Sequence, residues 1–220
     1  MTRLAHTPAA VAALRAATPD DPLRVLVSGC LAGLGCGVDG SDNGVGGALG
    51  GLLAVPSMRF VAFCPEAHTL GVPRTLPDIH GGDGADVLAG RARVYDEHGV
   101  DLTDAMVAGG EAMVSFAREH DVELAILTDM SAACGTQVIA YGCRLTPTRA
   151  YQAGTGVAAA LLLRAGVPVV SQRDYRTLGS IRARLDPAFT PDPAARDHHQ
   201  TPWYEMAFPV GAPRGPYRVG

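Results

Sequence analysis

The chain has 220 residues, 47% hydrophobic and 18% charged, with a formal net charge of −4. That is length enough for one generous domain with a real core, and the acidic balance argues against a nucleic-acid partner, whose non-specific grip needs clustered cations. No run approaches the roughly 18 apolar residues a membrane span needs. The alanine-rich start is broken by Arg15 and shows no signal-peptide cleavage pattern, so a cytoplasmic location is expected. Five cysteines are too few, and odd in number, for a disulfide framework; in a reducing compartment, loop cysteines serve as ligands or nucleophiles.

Residues 1–22 read as a helical prelude, with Thr7 and Pro8 as cap and first turn of a helix over Ala9–Ala17. The segment from Thr18 to Pro22 stops it. The α/β domain is expected over 23–186. Its first strand, Arg24–Ser28, is a short run without polar alternation, as suits burial on both faces. It ends in Ser28-Gly-Cys30 and opens into a glycine-rich loop through Gly40. Ser41 to Gly51 is loop, turning into a short helix by Leu53; it lacks the placement of a dinucleotide-binding fingerprint. Strand two, Arg59–Phe63, runs into Cys64-Pro-Glu66. From Leu70 to Gly84 a long irregular connection is expected, of a length that is usually functional or disordered.

Ala92–Tyr95 suggests a small ribbon, and a helix starts near Asp101, with Thr103 as its N-cap, and ends near Glu119. Strand three, Glu123–Leu127, leads into a loop carrying Ser131 and Cys134. Val138–Tyr141 reads as a short strand, Val157–Arg164 as a helix, Val167–Val170 as strand four and Thr177–Leu185 as a last helix. From 187 to 220 the chain is a proline-rich arm, expected to be extended, with His198 and His199 facing solvent. The pattern predicts a mostly parallel sheet flanked by helices, Rossmann-like and three-layered.

Parallel strands share a direction, so Cys30, Cys64 and Cys134, each just past a strand, should meet at the carboxyl rim of the sheet, where open α/β folds place ligands. Three thiolates there point to a soft metal or an iron–sulfur cluster. Zinc is a rival, although structural zinc sites usually bring cysteines in close pairs. Unbound core cysteines are a further alternative.

Ser28-Gly-Cys-Leu-Ala-Gly33 with Val38-Asp-Gly40, then Cys64-Pro-Glu66 with Gly71-Val-Pro-Arg74, resemble signatures of the thiouracil desulfidase (TudS) family. Gly82-Asp-Gly84, Asp101-Leu-Thr103, Ser131-Ala-Ala-Cys-Gly135, and Gly154-Thr-Gly-Val-Ala158 through Val169-Val-Ser171 continue the resemblance in order, over roughly residues 24–172. It implies a [4Fe–4S] cluster held by Cys30, Cys64 and Cys134 with one open iron. It implies hydrolytic, non-redox removal of sulfur from a small thiolated pyrimidine base or nucleotide, with Glu66 as general base and Ser131 hydrogen-bonding substrate or water. Cys36 falls at a non-ligating position, Cys143 reads as buried filler, and Asp39 and Arg74 as loop braces. A sulfurtransferase using the same cluster, or a non-catalytic cluster-binding protein, are the alternatives; a homodimer is compatible with the sequence. The chain departs from the family at Ser131-Ala-Ala-Cys134, at Thr128-Asp-Met130 and at Ser171-Gln172. These changes touch the pocket rather than the ligands.

Overall fold

The computed structural model describes residues 8–44, 47–211 and 215–219. A short helix α1 (Pro8–Ala12) precedes β1 (Leu23–Ser28), which ends in a 3-10 turn over Gly29–Ala32. Then come α2 (Gly47–Leu53), β2 (Met58–Phe63), α3 (Pro65–Leu70), β3 (Asp78–His80), α4 (Gly84–Val87) and β4 (Arg93–Tyr95). The long helix α5 (Thr103–Glu119) leads to β5 (Leu124–Leu127), β6 (Val138–Ala140) and β7 (Ala150–Ala153). Helix α6 (Val157–Arg164), β8 (Val169–Ser171) and α7 (Tyr175–Leu185) complete the α/β part. The last segment holds a 3-10 turn (His198–Gln200), α8 (Pro202–Ala207) and β9 (Tyr217–Arg218).

The central sheet has four strands in the order β2-β1-β5-β8, all parallel. Alternation along β1 divides the core. Leu26 packs with Met106, Met113 and Leu162 of α5 and α6, whereas Val25 and Val27 pack with Leu52, Leu178 and Ile181 of α2 and α7. Helices on both faces of a parallel sheet bury every residue of its inner strands, which is why β5 reads as an unbroken apolar run. Because β1 is followed by β2 on one side and β5 on the other, the chain reverses its winding between β1 and β5. Their carboxyl ends therefore flank a crevice.

Two small antiparallel sheets sit outside this frame. One pairs β3 with β4, the ribbon expected around Ala92–Tyr95. The other has the order β6-β7-β9, so the strand expected near Val138–Tyr141 belongs to a separate antiparallel layer. Strands β7 and β9 escape the sequence reading: Ala150–Ala153 and Tyr217–Arg218 are too short to display a period.

Other expectations need correction. The first helix ends at Ala12 rather than Ala17, and Thr7, its expected cap, lies outside the described residues. Thr103 is the first residue of α5, not its cap; its N–H is received by Asp101 Oδ1 at 2.9 Å, and its hydroxyl accepts the N–H of Val94 at 3.0 Å. The arm after residue 187 is not simply extended, since it folds into the turn, helix and strand given above. Its Trp203 gathers Tyr151, His198, Phe208 and Tyr217 into an aromatic cluster.

One junction positions the site directly. The N–H groups of Gly156, Val157 and Ala158 at the start of α6 are received by the carbonyls of Gly135, Ala132 and Ala133 at 2.8, 2.9 and 2.9 Å. The helix thus satisfies its otherwise orphaned first donors on the Cys134 loop. A Cβ at Gly156 would stand 2.4 Å from the Ala133 carbonyl oxygen, and that backbone has nowhere to go. Gly156→Ala should therefore lower unfolding free energy by roughly 1–3 kcal/mol, measured by chemical denaturation.

Candidate active site

At the carboxyl ends of β1, β2 and β5 lies a cavity of about 660 Å³ whose wall includes Cys30, Cys36, Cys64, Cys134, Glu66 and Ser131. The structure thus brings together all five of the expected site residues, along with Cys36. Cys30 rides on the 3-10 turn after β1, closed by Gly33 at φ 83°, a left-handed conformation that favours glycine. Its Sγ is 3.0 Å from Thr128 Oγ1 across the β1–β5 crevice. Cys64 caps α3, its Sγ accepting the N–H of Ala67 at 3.4 Å. Cys134 is buried in the loop after β5.

These thiols feel one another. Burial pushes the Cys30 thiol up; the Thr128 hydroxyl opposes this and the negative charge of Cys64 adds to it. Cys134 is driven well up, by burial first, with Ser28 opposing and Cys64, Glu66 and Cys30 reinforcing. Cys36 is pushed up to about 12 by burial and by the charge of Cys64. A group of sulfurs that resist joint ionisation needs positive charge among them to become thiolates. Gathered on one cavity wall, the sulfurs of Cys30, Cys64 and Cys134 are the soft donors that an iron–sulfur cluster takes. Cys36, read from sequence as non-ligating, lies on the same wall. Cys143, expected to be buried, is half-exposed.

Glu66 stands in the first turn of α3 and both its oxygens are engaged. Arg74 Nη2 donates to Oε2 at 2.8 Å and Ser131 Oγ donates to Oε1 at 3.1 Å. Arg74 is almost wholly buried and its Nη1 also donates to the carbonyls of Cys36, Gly37 and Gly71 at 3.0, 3.2 and 3.3 Å. Arg74 is thus both a brace of the Cys36 loop and the counter-ion of Glu66. Its Nε–H remains buried without an acceptor among the described residues, a spare donor suited to an anionic guest. The Ser131 hydroxyl accepts the N–H groups of Ala133 and Cys134 at 3.2 and 3.0 Å. It therefore shapes the turn and points its proton at Glu66. Asp39 accepts the N–H and hydroxyl of Ser41, a bond within its own loop.

Asp129, which the sequence reading passed over except as a departure from the family pattern, organises the loop behind the cavity. It is buried, and its Oδ1 accepts the N–H groups of Met130, Thr136, Gln137 and Val138 at 3.1, 2.9, 3.1 and 3.1 Å. Its Oδ2 meets His198 Nδ1 at 2.6 Å. Burial alone would raise this carboxyl; the His198 ring and the amides of Gln137 and Thr136 outweigh it and hold it low. His198 is thus buried rather than solvent-facing, because it carries the partner of a buried carboxylate. The available signal was an aspartate two residues past an apolar strand, a position where a short carboxylate can collect loop amides. A second cavity of about 460 Å³, lined by Tyr151, His198 and Trp203 among others, shares Met130, Arg173 and Tyr175 with the first.

Comparison with known proteins places this geometry in context. The sequence family described as 2-thiouracil desulfurase matches residues 25–174, and the chain belongs to that family. It is similar to the uncharacterized protein YbbK of Bacillus subtilis (strain 168), with 34% identity over 155 residues, covering 70% of this chain and 99% of that protein. Among solved structures it is similar to the [4Fe–4S]-dependent thiouracil desulfidase TudS, with a TM-score of 0.56 and 30% identity, covering 68% of this chain and 91% of that one. No helix among the described residues is long and apolar enough to cross a membrane.

Burial raises Asp174, beside this loop, from the ordinary carboxylate value to about 6, with the charges of Asp197 and Asp129 adding to the effect. A folded pKa above the unfolded one stabilises the fold fully below about pH 4, and that stabilisation is lost as pH rises through about 6. Between pH 4 and pH 7 the wild type should lose about 2 kcal/mol relative to Asp174→Asn, read by urea unfolding across that range.

Proposed function

We propose that this chain hydrolytically removes sulfur from a thiolated pyrimidine at a [4Fe–4S] cluster held by Cys30, Cys64 and Cys134. Membership of the 2-thiouracil desulfurase family and likeness to a [4Fe–4S]-dependent thiouracil desulfidase support the activity and the cofactor. The observation that carries the reading is the wall itself: cysteines from three strand ends share one cavity with a carboxylate held at both oxygens. When bound, the cluster supplies a soft Lewis-acidic iron for a thiocarbonyl sulfur.

The protein's own groups supply the rest. Glu66 is the general base: it takes a proton from the water that attacks the thiocarbonyl carbon and gives it to the sulfur that departs as the carbon–sulfur bond breaks and the keto base forms. Arg74 and Ser131 fix the carboxylate's orientation, so no reorganisation of this group is needed during the reaction. Ser131, tied to the amide of Cys134, couples the base to the ligand loop. The cavity, about 660 Å³, is within the range of small-molecule sites and roomy enough for a base or a nucleotide. Carbon–sulfur cleavage with water as acceptor requires no net electron transfer: a thiocarbonyl plus water gives a carbonyl plus sulfide.

Loading the chain with iron and sulfide under nitrogen and supplying 2-thiouracil should yield uracil and sulfide in equal amounts. Cys30→Ala, Cys64→Ala and Cys134→Ala should each lose the full complement of iron and acid-labile sulfide. Glu66→Gln keeps the shape that Arg74 packs against and should retain the cluster while kcat falls about 10²–10⁴-fold. A cysteine variant that still holds a full cluster, or unchanged turnover by Glu66→Gln, would refute these assignments.

A further inference from the structure

The loop after β5 has to present Ser131 and Cys134 without a helix or strand to fix it; residues 128–137 are turn and irregular backbone. Its middle is held by the start of α6 and by the Ser131 hydroxyl; its two ends are tied together by Asp129. The four amides on Oδ1 come from both ends of the loop, Met130 on one side and Thr136, Gln137 and Val138 on the other. Met130 itself takes φ 63°, a conformation a non-glycine residue holds only where its surroundings impose it.

A buried carboxylate keeps its charge only if its remaining oxygen is also satisfied. Ser171 Oγ reaches Oδ2 at 3.3 Å, a long bond, whereas His198 Nδ1 reaches it at 2.6 Å. The histidine is itself held in place. Its backbone N–H donates to Asp174 Oδ1 at 3.0 Å and its ring stacks on Trp203 at 12° and 5.6 Å between centroids. The preceding Asp197 receives the N–H and hydroxyl of Thr177 at 2.8 and 2.7 Å. All of these arm residues lie beyond residue 174, where the family match ends.

We propose that His198 is a positioning residue for the active site: through Asp129 it holds the loop that carries Cys134 and Ser131, which makes the C-terminal arm a working part of the site. This deepens the desulfidase reading and rests on it for the meaning of Cys134. A histidine that merely fills space in the aromatic cluster would affect the arm alone, and a leucine would serve it as well.

The test uses the full-length chain without cluster, under nitrogen, with iodoacetamide labelling followed cysteine by cysteine by mass spectrometry. Half-exposed Cys143, which does not line the cavity, is the internal reference. His198→Leu should label Cys134 about tenfold faster than wild type, and His198→Asn, whose amide nitrogen can stand where Nδ1 stood, should return the rate to within about threefold. Wild-type labelling of Cys134 in His198→Leu, or His198→Asn labelling as fast as His198→Leu, overturns the proposal. Should His198→Leu fail to fold, hydrogen exchange on the wild type decides. The amides of Thr136, Gln137 and Val138 should open together with that of His198; a His198 amide that exchanges freely while the loop stays protected overturns it. Both readouts are taken without the cluster, so they stand apart from the desulfidase reading, which falls only if the loaded wild type turns over no thiolated pyrimidine.

Discussion

Strand direction is the constraint from which the site follows. The four central strands are parallel and ordered β2-β1-β5-β8, so every one of them delivers its next residues to the same edge. A residue just past β1 and one just past β2 or β5 are far apart in the chain and yet neighbours in space. Cys30, Cys64 and Cys134 exploit that geometry at a reversal of winding, where the loops diverge and leave room for a ligand. Nothing local in any of the three segments would suffice by itself. Each cysteine is fixed instead by what its strand end permits: a 3-10 turn, a helix cap, and a loop wound about an aspartate.

Two carboxylates divide the work around this edge. Glu66 faces the cavity, and its partners, Arg74 and Ser131, hold it without closing it off. Asp129, at the border of the same cavity, is buried and accepts donors on both oxygens, which withdraws it from chemistry. Their roles differ because their partners differ: one is oriented by groups that also line the cavity, the other is consumed in satisfying backbone amides that have no ladder to join. Ser131 ties Glu66 to the loop that Asp129 closes, since its hydroxyl donates to Glu66 and accepts from the amide of Cys134 within that loop.

Much of this was legible in the residues. The apolar runs of β1, β2 and β5 and the helical period of α5 and α6 are strong patterns, and each ends close to where the sequence places it. Helix α3, which opens at Cys64-Pro-Glu66, went unread, because six residues are too few to show a helical period. What was not legible depended on long-range satisfaction of polar groups. Nothing near His198 announces that it will bury against Asp129, about seventy positions away, and a proline-rich segment ordinarily reads as extended. Strands β7 and β9 were hidden by their brevity, and Thr103 by a competing acceptor, Asp101, two residues earlier. Local propensity wrote the frame; buried carboxylates decided where the loops and the arm came to rest.

The central claim is that sulfurs from residues 30, 64 and 134 together hold one iron–sulfur cluster beside Glu66. Anomalous scattering at the iron edge, from crystals of the loaded chain grown under nitrogen, tests it most directly. The expected result is one compact iron peak inside the cavity, bonded by those three sulfurs and no other protein atom, with the Glu66 carboxylate facing it. Iron bonded by Cys36 as a fourth ligand, iron elsewhere on the molecule, or a zinc signal in its place would contradict it.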